Sequence, residues 1–326
     1  MSQPGDIRIR VVEADALVYE TDVLVLKHAQ ALHGLDREVA RRLGVETEDL
    51  PRRDEFRIFR DPEGLDADSV IFVGVNSMWD FTYSDVRRFA YRALSSVAIE
   101  IPQASSVALT LHGVGFGLDE VECFESEVAG ILDAIDRRDI PRTLQRIDVV
   151  ERDSARAERM QVDLDSLLGN QSTLTTEPNP ARQEGKVERL REVASEGAEK
   201  PHAVVAMPFD KSFEDRFHYG MSKPIRKSGL LCERIDQRAF TGDVMERLKE
   251  RIRTARLVVA DLTGSNANVF LEVGFAWGSD VPTVLVCQNE SDLAFDVQGQ
   301  RCLIYDSIKE LEDKLLAELE ELVGSV

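Results

Sequence analysis

Residues 257–276, LVVADLTGSNANVFLEVGFA, decide the fold of the C-terminal part of the chain. The apolar run from Leu257 to Ala260 predicts a buried strand, which delivers Asp261 to a polar turn that contains Gly264. The apolar run from Ala267 to Trp277 predicts a helix directly after this turn. A strand, a glycine-containing turn and a helix in this order are typical of an α/β domain built on a parallel sheet.

The turn itself is suited to a polar ligand. Ser265, Asn266 or Asn268 can cap the helix that follows. The free amides at a helix N-terminus favour an anion or the polar edge of a ring. We therefore expect Thr263, Gly264, Ser265 and Asn266 to lie close to the phosphate or sugar of a ligand.

Glu272 is the lone acid in this apolar helix, and it follows Asn268 by one helical turn on the same face. Burial of a carboxylate in such a place costs free energy unless the group is paired or takes part in binding or catalysis. Two interpretations follow. Glu272 bonds a neighbouring strand or a partner subunit, or it is a catalytic carboxylate that acts with Asp261 and is oriented by Asn268.

The flanking sequence repeats the alternation of strands and helices. Predicted strands cover 203–207, 230–234, 257–260, 283–287 and 302–305, and predicted helices cover 213–227, 241–254, 267–277 and 307–322. Pro224 must interrupt or kink its helix, because proline has no backbone N–H. We expect a three-layer α/β domain with a parallel sheet.

In an open parallel sheet, ligands bind beyond the carboxyl ends of the strands. Polar and aromatic residues follow two of the predicted strands at such ends. We expect substrate contacts from Met207, Pro208, Phe209, Asp210 and Asp236. Phe209 can stack on a base or belong to the core.

Several short motifs follow one another in the last third of the chain. They are Val204 to Phe209, Asp261 to Gly264, Asn268 to Ala276, Phe295-Asp296 and Tyr305-Asp306. As a set they resemble the nucleoside 2-deoxyribosyltransferase-like group, whose flavodoxin-like fold is close to that of TIR domains. Asn266-Ala267-Asn268 departs from the Asn-Pro-Asn that is usual in the group.

The resemblance implies a role for each acid. In the transferases, a helix glutamate at the position of Glu272 attacks the anomeric carbon, and a strand-end aspartate at the position of Asp261 contacts the base. TIR-type NAD hydrolases also use a helix glutamate on a related fold.

The chemistry suits these residue types. Cleavage of an N-glycosidic bond passes through an oxocarbenium-like state, which a carboxylate can stabilise or trap as a covalent glycosyl intermediate. A second carboxyl group can protonate the leaving base. Asp261 is the first candidate for that proton donor, and Asp210 and Asp236 are the next candidates.

The leading hypothesis is an N-glycosidase that takes NAD or a (deoxy)nucleotide as substrate and requires neither cofactor nor metal. The alternatives are a deoxyribosyltransferase and a non-catalytic nucleotide-binding module.

The first half of the chain also alternates strands with helices. Predicted strands cover 6–12, 22–26, 55–59, 69–75, 106–111 and 147–150, and predicted helices cover 35–43, 84–99 and 119–135. The order from Val70 to Gly117 is similar to the macro-like fold, above all to the N-terminal domain of leucine aminopeptidases. Macro domains wrap the diphosphate of ADP-ribose with glycine-rich loops, so the resemblance implies such a loop at Gly113, Gly115 and Gly117.

Other parts of this half depart from the catalytic macro domains. Lys27 to Gln30 and His33 to Leu35 stand where those domains carry asparagine-rich and poly-glycine elements. We therefore expect a sensing or assembly role rather than removal of ADP-ribose. His28, His33 and His112 are interpreted as ordinary core or surface histidines, because no cluster has the spacing of metal ligands.

Composition sets the remaining limits. The net charge of −20 argues against non-specific nucleic-acid binding through a broad basic face. Residues 1–152 and 201–326 are predicted to be domains, joined by a polar linker over 153–200 with a solvated helix near 183–194. The lack of long apolar stretches and of paired cysteines favours a cytoplasmic protein without a membrane span. The layout resembles that of bacterial antiphage defence proteins, in which a sensor controls a nucleotide-depleting effector, and suggests a homo-oligomer.

Overall fold

A computed structural model of the chain describes residues 7–78, 80–168, 173–174, 200–234 and 244–323. The chain divides into two compact units. The first comprises Met1–Val114 and Glu120–Ala198, and the second comprises Gly115–Asp119 and Glu199–Val326. No helix among the described residues is both long enough and apolar enough to cross a membrane.

The first unit is an α/β structure around a seven-stranded sheet. Its elements are β1 (Ile7–Glu13), β2 (Thr21–His28), α1 (Gly34–Leu43), β3 (Phe56–Arg60), β4 (Ala67–Gly74), α2 (Tyr83–Glu100), β5 (Ser106–Leu109), α3 (Glu120–Arg137), β6 (Arg146–Glu151), α4 (Ser154–Leu168) and β7 (Thr173–Leu174). The strand order is β3-β4-β2-β5-β6-β1-β7. The five inner strands are parallel, whereas β3 and β7 are antiparallel to their neighbours. The predicted, mostly parallel sheet is confirmed.

The central strands of this sheet are buried on both faces, which explains their nearly continuous apolar sequence. Val23 to Leu26 in β2 and Val70 to Val73 in β4 have no exposed surface. Leu24 and Leu26 share a core cluster with Val39 of α1.

The helix α4 is a difference from the sequence prediction, which placed a linker from residue 153. Ala157, Met160 and Leu164 are buried and form one helical stripe, and α4 contacts β1. The first unit therefore extends past the boundary expected at residue 152. Only three of its fifteen residues are buried, and so narrow a stripe left a weak signal in the sequence. The helix predicted near 183–194 lies outside the described residues.

The second unit is built on a five-stranded parallel sheet. Its elements are β8 (His202–Ala206), a π-helix (Arg216–Ser222), α5 (Lys223–Lys227), β9 (Leu231–Glu233), α6 (Val244–Thr254), β10 (Leu257–Asp261), α7 (Ala267–Gly278), β11 (Thr283–Cys287), β12 (Cys302–Ile304) and α8 (Ile308–Val323). The strand order is β12-β11-β10-β8-β9. The direction in which the chain builds the sheet therefore reverses between β8 and β10. In open α/β sheets, ligands bind at such a reversal, beyond the carboxyl ends of the strands.

Helices cover both faces of this sheet, as the sequence predicted. On one face, Phe217 of the π-helix and Leu311 of α8 pack with Val205 and Val259. On the other face, Leu248 of α6 and Val273 of α7 pack with other residues of the same strands. Alternate residues of β8 and β10 thus point into two separate cores, which gives three layers.

Pro224 interrupts the helix over 213–227 as predicted. Because proline cannot donate to the carbonyl four residues earlier, the regular hydrogen-bond ladder fails before it. The chain adopts a π-helix from Arg216 to Ser222, and α5 carries Pro224 in its first turn. The π-helix lies close to α8, since a Cβ at Gly220 would be 2.7 Å from Cδ2 of Leu311.

Candidate functional site

Asp261 ends β10 and organises the turn that follows. It is fully buried. Its Oδ1 accepts hydrogen bonds from the backbone N (3.0 Å) and Oγ1 (2.5 Å) of Thr263, and its Oδ2 accepts one from the Tyr305 phenol at 2.9 Å. The Thr263 hydroxyl in turn accepts from the backbone N of Gln288 at 3.1 Å. Both carboxylate oxygens of Asp261 are therefore engaged as acceptors.

The next two residues of the turn bind the segment that follows β11. The amide of Gly264 donates to Oδ2 of Asp292 at 3.0 Å, and Oγ of Ser265 donates to the Asp292 carbonyl at 2.8 Å. The φ angles of Gly264 and Ser265 are +78° and +53°. A carboxylate of the chain thus bonds the amide that the sequence predicted to lie near a phosphate or sugar.

The helix α7 begins with a side-chain cap and carries Glu272 on its buried side. Asn266 is the N-cap, and its side chain accepts from the backbone N of Asn268 at 2.9 Å. Asn268 is exposed, whereas Glu272, four residues later, is 7% exposed. The structure therefore buries Glu272 together with Val269, Val273 and Ala276 of the same helix.

The residues after β8 lie at the same edge of the sheet but differ in their surroundings. Met207 is buried in the core, and Pro208 and Phe209 are half-buried. Asp210 is exposed and caps a short 3-10 turn, where it accepts from the backbone N (2.9 Å) and Oγ (2.7 Å) of Ser212. Asp236 lies outside the described residues.

Arg234 follows β9 directly and was not singled out from the sequence. Its guanidinium lies 4.0 Å from the ring centroid of Phe217 and 5.1 Å from that of Phe209. Its Nη2 donates to both carboxylate oxygens of Glu214, at 3.0 and 3.1 Å. Burial opposes the charge of Glu214, but the hydrogen bond to His218 and the charge of Arg234 lower its pKa to about 2. Arg234 is thus already paired with an ionised partner.

Arg216 and Tyr305 complete this edge of the sheet. Tyr305 is buried, and burial together with the Asp261 charge raises the pKa of its phenol, which the positive charge of Arg216 opposes. The Arg216 guanidinium lies 4.4 Å from the Phe213 ring centroid. Nη1 of Arg216 is buried and has no hydrogen-bond partner in the described part of the chain. Sequence reasoning missed Arg216, because helical periodicity does not reveal which arginine lacks an acid.

The predicted glycine loop divides between the two units. Gly113 belongs to the first unit, and Gly115 and Gly117 belong to the second. Gly113 and Gly117 both have φ of +99°, a conformation that favours glycine.

Polar residues also collect near the carboxyl end of β2. Nζ of Lys27 lies 2.5 Å from Oδ2 of Asp36, and both side chains are buried. Nδ1 of His28 lies 2.9 Å from the carbonyl oxygen of Pro51. His112 is also buried, and this burial lowers its pKa well below the usual value for histidine. Among the described residues, no group of three or more His, Cys, Asp or Glu side chains could hold a metal ion.

No protein-family profile matches the chain, and no curated protein matches it in sequence. Solved structures similar to it include the macrodomain of Oceanobacillus iheyensis, at 17% identity over 51% of this chain and 95% of that one, with a TM-score of 0.41. The macrodomain of Trypanosoma brucei in complex with ADP-ribose is 12% identical over 48% of this chain and 68% of that one, with a TM-score of 0.37. The macrodomain of Mycobacterium tuberculosis DarG is 16% identical over 44% of this chain and 97% of that one, with a TM-score of 0.35. These likenesses concern the N-terminal half, for which the sequence predicted a macro-like fold, and they bear on the fold alone.

Proposed function

We propose that the second unit binds a nucleotide beyond the carboxyl ends of β8 and β10 and cleaves its N-glycosidic bond, with Glu272 as the carboxylate that faces the anomeric carbon. The observation that carries this proposal is the position of Glu272. It is a buried acid in a helix with no other ionisable residue, and that helix begins directly after the strand at the reversal of the sheet. A flavodoxin-like fold, with strand order 2-1-3-4-5, fits the same sheet.

The reaction makes use of a buried carboxylate. As the bond from the anomeric carbon to the base breaks, its electron pair leaves with the base and positive charge develops on the sugar. A fixed negative charge in a water-poor site stabilises that charge more strongly than it would in water. Glu272 supplies the charge, and water or a second base completes the exchange at the anomeric carbon.

The contacts of Asp261 bear on the leaving group. Its three hydrogen bonds all use the carboxylate as an acceptor, and two of them come from Thr263 within the turn. Asp261 is better suited to hold the turn ahead of α7. A base that leaves without protonation therefore fits the site best. The nicotinamide of NAD is such a base, since the cationic ring nitrogen takes up the bonding electrons and departs neutral.

The same contacts support a second candidate function. A unit in which Asp261 holds the turn rather than acting as an acid can still bind a nucleotide and change assembly without turnover. In that case Glu272 would hydrogen-bond the ligand rather than attack it.

The role of the first unit is a separate proposal. It senses a nucleotide-like signal through its backbone at Gly113, or it holds a homo-oligomer, and the whole chain serves as a nucleotide-depleting antiphage effector. The sensing role is supported by the positive φ of Gly113, which lets backbone amides approach a ligand closely. ADP-ribose, the ligand in the Trypanosoma brucei structure, is the first activator to test.

The deciding experiment follows base release from NAD, dAMP and AMP by the full-length protein, with and without ADP-ribose and cyclic nucleotides. We expect release that is abolished in Glu272→Gln, while circular dichroism and the unfolding midpoint are retained. The matched control is Glu320→Gln, which changes an exposed acid of α8. Release that persists in Glu272→Gln would contradict the catalytic role. Tight binding without turnover under every activator would favour the second candidate.

A further inference from the structure

Arg216 combines two features within the described residues: its guanidinium has no acid partner, and its Nη1 is buried. Arg234 is bonded to Glu214, and Arg251 is bonded to the fully buried Glu233. Nη1 of Arg216, in contrast, is buried without an acceptor in the part of the chain that the structure describes.

This arrangement has an energetic cost in the absence of an anion. A buried N–H that loses its hydrogen bonds to water and gains no acceptor destabilises the fold. The cation–π contact with Phe213, whose ring centroid lies 4.4 Å from the guanidinium, offsets part of that cost and restricts the position of the side chain. Such a side chain is preorganised for a ligand, because its orientation is set before the ligand arrives.

The position of Arg216 places this donor beside the proposed site. Its guanidinium lies over the ring of Phe213, which packs against the core cluster of Met207 and Tyr305, and the Tyr305 phenol is bonded to Asp261 at the end of β10. Asp261 is already satisfied by Thr263 and Tyr305. Arg216 is also the first residue of the π-helix, a rare conformation that often accompanies functional sites.

We infer that Arg216 binds a phosphate group of the ligand, so that the site recognises phosphorylated nucleotides and discriminates against free nucleosides. The inference rests on the proposed nucleotide site and adds its phosphate subsite. The planar guanidinium presents parallel N–H donors that match two phosphate oxygens, which a lysine or an exposed surface charge cannot reproduce.

The test measures binding rather than turnover. Isothermal titration calorimetry compares AMP with adenosine, and NAD with nicotinamide riboside, on the full-length protein and on Arg216→Gln. We expect the wild-type protein to bind each phosphorylated ligand at least about tenfold more tightly than its nucleoside, which corresponds to one charge-assisted hydrogen bond. In Arg216→Gln that preference should fall to about twofold or less, with nucleoside affinity unchanged. Inorganic pyrophosphate should compete with AMP on the wild-type protein.

Arg253→Gln is the matched control. Arg253 also lies near a phenylalanine ring, at 5.2 Å from the centroid of Phe275, but it has an acid partner in Glu250. This variant removes the same charge and should keep the full preference for phosphate.

Each outcome decides a different point. Equal wild-type affinity for AMP and adenosine overturns the phosphate subsite, and this result needs no variant to fold. A preference that survives in Arg216→Gln assigns the phosphate to other groups and overturns the inference while the nucleotide site stands. If the wild-type protein binds none of these ligands, the proposed function itself fails.

A variant that fails to fold does not remove the test. If Arg216→Gln does not fold, the wild-type preference and the binding by Arg216→Lys decide the question. The lysine variant should lose most of the preference for phosphate, because an ammonium lacks the planar pair of donors. A lysine variant that keeps the full preference would overturn the role of the guanidinium.

Discussion

The phenol of Tyr305 donates a 2.9 Å hydrogen bond to Oδ2 of Asp261, and this bond joins the end of β12 to the end of β10 across the intervening strand β11. Tyr305 is 1% exposed and Asp261 is fully buried. The turn before α7 is therefore fixed from two sides, by Thr263 within the turn and by Tyr305 from the far strand. This pair, rather than Asp261 alone, holds the loop that precedes α7, the helix that carries Glu272.

Tyr305→Phe should destabilise the second unit. The change keeps the ring in the core but leaves Oδ2 of a buried carboxylate without its donor, which costs about 1–3 kcal/mol of unfolding free energy. Urea unfolding followed by circular dichroism measures the loss. Tyr219→Phe is the control, because Tyr219 is 51% exposed and its change should cost about 0.5 kcal/mol or less. Equal effects of the two changes would show that the bond to Asp261 contributes no stability.

Glu127 should make the stability of the first unit depend on pH. It lies in α3 with no exposed surface, both carboxylate oxygens lack hydrogen-bond partners in the described part of the chain, and burial raises its pKa to about 8. When an acid has a higher pKa in the folded state than in the unfolded state, folding favours its protonated form. The unfolding free energy is therefore highest below the unfolded-state pKa. It falls as the pH rises toward and through the folded-state pKa. We therefore expect unfolding free energy to fall by up to about 4 kcal/mol between pH 4.5 and pH 8.

The comparison variant is Glu127→Gln, which has no charge to gain over this pH range. The difference in unfolding free energy between the two proteins should shift in favour of the glutamine variant as the pH rises. Glu48→Gln, at an exposed position of the same unit, controls for the loss of one acid. A wild-type-minus-variant difference that stays constant from pH 4.5 to pH 8 would contradict the assignment.

Lys27→Met should destabilise the first unit strongly. Burial raises the pKa of Asp36, and the nearby Lys27 only partly opposes that effect. Removal of the lysine leaves a buried carboxyl group without its partner, which costs about 3–5 kcal/mol. The double variant Lys27→Met, Asp36→Leu should recover most of the loss, because it removes both charges.

Thermal and urea unfolding of the single and double variants test this prediction. Lys211→Met is the control at an exposed lysine. A double variant that is no more stable than Lys27→Met would show that the cost arises from lost packing rather than from the uncompensated acid.

The sequence by itself determined the α/β class of both halves and most of their elements. Apolar runs of strand length and the amphipathic spacing of the helices are local signals, so they survive in one dimension. The interruption at Pro224 was also local, because the missing N–H belongs to that residue. The helix α4 was the exception, since three buried residues suffice once a sheet is there to pack against.

Only the tertiary structure decided which groups meet at the candidate site. The strand order that brings Tyr305 to Asp261 depends on non-local pairing, which no residue pattern within β12 encodes. The pairing of Arg234 with Glu214, the binding of Gly264 by Asp292 and the lack of a partner for Nη1 of Arg216 among the described residues depend on contacts between segments apart in the chain. The sequence could identify Glu272 as an unusual acid, but its burial beside the sheet reversal follows from three-dimensional packing, because the free energy of a charged group depends on the atoms that surround it.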